Sequence, residues 1–174
     1  MSGLRVEVTL AGGVGDAARA VVSRSGWVER VSGVVARAGA ELGVGGEVRV
    51  RVVGDGEMAS AHVAWCGVEG TTDVITMDLR EPAGSAARDG EIDADLIVCA
   101  DEAARQAGAR GTSVDDEVVL YVVHGLLHCM GHDDHDEAGY AAMHAREDAV
   151  LAAIGVGTVF GRAARGGGDG GAGS

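Results

Sequence analysis

The chain has 174 residues, 47% of them apolar, which suits one domain with a substantial core. Its net charge of −13 excludes a broadly basic protein that grips phosphate backbones, so any nucleic-acid role must use a local patch or a basic partner. The apolar runs are too short to span a bilayer, and three widely spaced cysteines, Cys66, Cys99 and Cys129, argue against a disulfide framework.

The first ten residues, "MSGLRVEVTL", lack the basic and long apolar regions of a secretory signal, which predicts a cytoplasmic protein. Within them "LRVEVTL" (4–10) alternates apolar and polar residues and reads as a strand. The Gly-rich stretch 11–26 is a connection with room for a short helical piece. "WVERVSGVVARAGAEL" places Trp27, Val28, Val31, Val34, Val35, Ala38 and Leu42 on one helical face and ends at "GVGG". "EVRVRVVG" (47–54) is a strand, and Asp55 is the expected N-cap of a helix over "DGEMASAHVAWC". "TTDVITMDL" (71–79) is a strand, followed by a polar Pro- and Gly-containing loop. "ADLIVCA" (94–100) reads as a central strand buried on both faces. "DEAARQAGARG" is a short helix ending in glycine. A longer apolar helix to Gly131 opens on a capping-box pattern, Ser113 with Asp116. A last amphipathic helix has Ala138, Ala142, Met143, Ala145, Val150 and Leu151 available for its buried side. The order predicts an α+β fold, a mixed sheet of about four strands packed with helices. Residues 1–160 form the expected domain, and 161–174 a disordered Gly-rich tail.

Chemistry concentrates in "HGLLHCMGHDDHDEAGYAAMH" (124–144), which holds five of the six histidines. His124 and His128, four apart on a helix, can aim their imidazoles at one point. Gly131 allows a left-handed turn that returns the chain, so "HDDH" can deliver a third ligand there. Two ligands from a helix and one from the next turn make an open metal site with a position left for water. The Glu that follows the first His in HExxH peptidases is here Gly125, which argues against a peptidase. Cys129 falls on another face and reads as core, and His144 reads as a bystander on the next helix.

These residues resemble the YbeY family of bacterial rRNA-maturation endoribonucleases, whose signature HGxLHLxGYDH stands here as "HGLLHCMGHDDH". "TTDVITMDL" is similar to the family's PTDVLSF strand, and "IDADLIVCADEAARQA" to its LGDIVIS strand and helix. "VRVVGDGEMASAHVAWCGVEG" takes the place of the helix ending in NxxYRGxD, so the resemblance covers residues 4–155. It implies one zinc ion held in a cleft formed by the HxxxHxxG helix and the turn after it. It also implies single-strand endoribonuclease activity in 16S rRNA 3′-end maturation and ribosome quality control. The implied partners are rRNA and the small ribosomal subunit or its proteins, with no membrane.

Family spacing puts the third ligand on Asp134, with His135 the alternative if the turn is one residue longer. A His/His/Asp set also suits nickel, iron or cobalt. Asp133, Asp136 and Glu137 are the candidates to orient the ligating imidazoles. His132 and His135 are the candidates for acid–base work, and Asp73 is a cleft residue or a strand-end cap. Cys66 stands where the family has an Arg expected to contact phosphate. That loss and the negative charge favour an alternative, a ribosome-associated metalloprotein with weak or no nuclease activity. A metal-dependent hydrolase of another substrate is the third possibility.

Overall fold

The computed structural model describes residues 3–80 and 90–160; the expected tail at 161–174 lies outside them. Four strands, β1 (Leu4–Leu10), β2 (Gly45–Val53), β3 (Val74–Asp78) and β4 (Glu91–Cys99), form one sheet in the order β1-β2-β4-β3. β1, β2 and β4 run parallel, and β3 is an antiparallel edge strand on β4. The described helices are α1 (Asp16–Val22), α2 (Trp27–Leu42), α3 (Asp55–Cys66), α4 (Ala100–Arg110), α5 (Val114–Cys129) and α6 (Glu137–Ala153). The expected α+β fold is the one observed.

Period-two alternation builds the sheet. Val48, Val50 and Val52 of β2 face the main core with Ile92, Ala94, Leu96 and Val98 of β4. The opposite face carries charge: Arg49 donates to Asp95 at 2.5 Å and to Asp93 at 2.6 Å. β4 is therefore not buried on both faces as expected. It begins three residues earlier, at Glu91, and Asp93 and Asp95 supply the outward half of an alternation that the window 94–100 hides.

α5 is apolar nearly all round because it is enclosed, packing on β3 and β4 and against α2, α4 and α6. Its capping box is formed as expected, with Ser113 accepting from the Asp116 amide. α3 is capped differently from the expectation. Gly54 is the N-cap, and Asp55 enters the first turn because its carboxylate pairs with Arg105 at 2.7 and 2.8 Å. β3 is shorter than the expected 71–79, since Asp73 folds back onto the Val74 amide. On α6, Met143, Val150 and Leu151 are buried, whereas Ala138, Ala142 and Ala145 are exposed.

Glu117 of α5 is fully buried, accepting from Arg110 at 2.8 Å and from the Thr112 hydroxyl at 2.6 Å. Arg110→Met strands that carboxylate, and urea denaturation should show a loss on the order of 3 kcal/mol. The double variant Arg110→Met/Glu117→Leu should recover most of it. An unchanged unfolding midpoint in Arg110→Met would rule out the pair as a structural anchor.

Candidate metal centre

α5 ends in a doubled-back cap. The Gly131 amide donates to the His128 carbonyl at 2.9 Å, and the His132 amide to the Leu127 carbonyl at 3.1 Å. Gly131 takes a φ of 90°, the left-handed conformation that this pattern requires. The chain is thereby turned back over the last turn of α5, where His124 and His128 stand one above the other.

Their rings meet edge to face with centroids 4.5 Å apart and Nε2 atoms 2.9 Å apart. The returning chain places Asp134 beside both: one carboxylate oxygen lies 3.7 Å from His124 Nε2, the other 3.7 Å from His128 Nε2. His124, His128 and Asp134 form a group whose ligand atoms all lie within 4.8 Å of one another. All three are partly buried.

The other ring nitrogens explain which way the imidazoles present themselves. His124 Nδ1 donates to Glu147 Oε1 at 2.6 Å, and His128 Nδ1 to the His132 carbonyl at 3.1 Å. Carbonyl and carboxylate oxygens only accept, so each neutral ring carries its proton on Nδ1 and leaves Nε2 bare. Two bare lone pairs at 2.9 Å repel unless a cation lies between them. Donors of a tetrahedral zinc ion, bound at about 2.0–2.2 Å, stand about 3.3 Å apart. The three spacings here, 2.9, 3.7 and 3.7 Å, bracket that value, so the set fits a small divalent cation. Burial pushes the His124 pKa down, but hydrogen bonding and charge from Glu147, with the charges of Asp73 and Asp134, outweigh it and leave it raised.

Asp133, Asp136 and Glu137 are the carboxylates expected behind the histidines; the carboxylate found on His124 Nδ1 is that of Glu147. Asp133 pairs with His135, Asp136 caps α6 by accepting from Gly139 at 2.6 Å, and Glu137 is exposed in the first turn. His144 is no bystander, since its Nδ1 donates to the second Glu147 oxygen at 2.7 Å. The sequence carries a signal for Glu147 alone, which occupies an apolar stripe position on α6 with Met143, Val150 and Leu151.

His135 and Asp133 are exposed and paired with each other, and with Asp134 they form a second, more open group that could hold a cation. Asp133 hydrogen bonds to His135 and raises its pKa. His132 is exposed and serves the centre through its backbone.

A cleft of about 450 Å³ opens beside the ligands, with His124 and His128 on one wall and Cys66, Thr72, Asp73 and Asp78 among the other residues. Asp73 fills both roles considered for it: it lines the cleft, and Oδ1 accepts from the Val74 amide at 2.8 Å. Cys129 is buried but reaches the cleft edge.

A family model described as Endoribonuclease YbeY matches residues 18–155. The Endoribonuclease YbeY of Halorhodospira halophila is 37% identical over 114 residues, covering 66% of this chain and 74% of that protein. That of Moorella thermoacetica is 35% identical over 130 residues, covering 71% and 83%. Among solved structures, the solution structure of TM1509 from Thermotoga maritima superposes with a TM-score of 0.51 at 18% identity. It covers 85% of this chain and 90% of that one, a likeness of fold.

Proposed function

The chain belongs to the YbeY endoribonuclease family, and from that premise we propose that it is a zinc-dependent endoribonuclease cutting single-stranded RNA in 16S rRNA 3′-end maturation and ribosome quality control. The observation that carries the proposal is the convergence of His124, His128 and Asp134 beside an open cleft. No described helix is long and apolar enough to cross a membrane, in keeping with work on ribosomal RNA in the cytoplasm.

His124 and His128 would hold the ion through Nε2, and Asp134 through a carboxylate oxygen. Bound there, zinc supplies a water acidified toward neutrality and positive charge for the phosphoryl oxygens. Glu147 and the His132 carbonyl keep the two Nδ1 protons in place, so neither ring can turn its other nitrogen inward. His135, its Nδ1 held on Asp133, is one proposed proton donor to the leaving oxygen, and His132 the other. Thr72 and Asp73 also line the cleft in which the RNA would lie.

One observation favours the second reading, a ribosome-associated metalloprotein with little nuclease activity. Among the described residues lining the cleft none is arginine, and Asp73 adds negative charge, while Asp78 is neutralised by its ion pair with Arg80. Purified zinc-loaded protein is expected to cut single-stranded 16S 3′-end RNA but not its duplex, and His128→Ala to reduce cutting by at least about 100-fold while remaining folded. Co-sedimentation with small subunits but no cleavage would replace this reading with the second. Turnover of small phosphoesters or amides alone would point to a different hydrolase.

A further inference from the structure

Glu147 is 1% exposed in the middle of a helix. A buried carboxylate is costly unless fully compensated, and an apolar side chain there would be cheaper. Its partners among the described residues are two imidazoles: His124 at 2.6 Å through Oε1 and His144 at 2.7 Å through Oε2. We propose that Glu147 is the positioning residue of the metal centre, fixing which nitrogen of His124 faces the ion, and that His144 fixes Glu147. The proposal rests on the metal-binding part of the function proposed above.

The geometry supports a role beyond filling space. Both carboxylate oxygens accept, so both histidines must donate from Nδ1, and His124 is left with Nε2 toward His128 and Asp134. Contacts of this length to an ionised acceptor are strong and directional. Glu147 and His144 are three apart on α6, so one helix builds the pair and presents it to α5. The His144 ring is itself clamped, with Tyr140 edge-on at 4.0 Å and Phe160 tilted at 3.7 Å between centroids. Its Nε2 is buried without a partner, so the chain of contacts from the metal ligand ends there, in packed side chains.

The test measures zinc affinity by competition with a chromophoric chelator in wild type, Glu147→Gln and Glu147→Asp, with thermal unfolding of each metal-free protein as control. An amide accepts through one oxygen only and presents N–H to the other ring, so Glu147→Gln disturbs one of the two histidines. Its zinc dissociation constant should rise about 10–100-fold, the usual effect of losing a residue behind a ligand. Long-range 1H–15N correlation on zinc-loaded wild type should show His124 protonated at Nδ1 with zinc on Nε2. Zinc on Nδ1 of His124 would overturn the proposal whatever the variants do, including the case in which they fail to fold. Unchanged affinity in both folded variants, Glu147→Gln and Glu147→Asp, would overturn it equally. If wild type binds no zinc, this inference and the zinc reading fall together. Zinc binding with the expected loss in Glu147→Gln, but without RNA cleavage, upholds this inference and removes the nuclease reading alone.

Discussion

Elemental analysis should find close to one zinc per chain in wild type and in His135→Ala, and little in Asp134→Ala or His128→Ala. The Asp134 carboxylate reaches both ligating nitrogens, lying 3.7 Å from each. His135 is turned outward, its side chain 85% exposed and its Nδ1 engaged by Asp133. A cation bound by two histidines and a carboxylate loses a third of its protein donors in Asp134→Ala. That loss should exceed the roughly 10–100-fold expected for a residue that only backs a ligand. Proton competition gives the same site a pH signature. The raised His124 pKa means that the metal-free ring keeps its proton to a higher pH than an ordinary imidazole. The apparent zinc affinity should therefore begin to fall on acidification at a higher pH than for an ordinary imidazole, since the ligand must be neutral to bind. Full occupancy in Asp134→Ala would show that the third ligand has been misplaced.

Much of this centre could be read from sequence because it is local. The helix period puts His124 over His128, and a glycine in the left-handed conformation returns the chain within three residues. The register of "HDDH" is open in the sequence between Asp134 and His135, and the cap brings Asp134 beside both imidazoles. Once the His132 amide reaches back to Leu127, Asp134 falls over the helix end and His135 points away. Glu147 and His144 were missed because their role is tertiary. Nothing in the local pattern of α6 says that its buried stripe meets the ligand face of α5, and an isolated Glu in such a stripe is easily read as a surface residue. β4 was misread for a related reason. Its apolar half dominates the window, and only pairing with β2, which sets Arg49 opposite Asp95, reveals the charged outer face. The three exposed alanines of α6 follow the same logic, since a small side chain carries little information about the face it occupies.

Gly125→Glu is expected to leave no folded protein. This glycine lies between the two ligands on the face of α5 that meets the sheet. A Cβ added there would stand 2.6 Å from Leu96 Cδ2 and 2.7 Å from Thr76 Oγ1. Leu96 is 1% exposed and packed into the main core, so its methyl has little room to give. For Gly125→Ala, overpacking of about 1–3 kcal/mol is partly offset by about 1 kcal/mol of better helix propensity. That variant should fold with its unfolding free energy lowered by up to about 2 kcal/mol. Glutamate adds both bulk and a carboxylate directed at a buried strand, a cost of several kcal/mol more. The sum approaches the 5–15 kcal/mol that holds a typical domain together. Soluble yield and far-ultraviolet circular dichroism would decide it, and a folded Gly125→Glu within about 1 kcal/mol of wild type would disprove the close approach. The same contact explains the chemistry of the motif. An HExxH peptidase places its general base at this position, and here the helix lies too close to β3 and β4 for any such side chain. His124 and His128 are held by a helix seated directly on the sheet, and acid–base groups for the cleft must come from the turn after α5 or from the other lining residues.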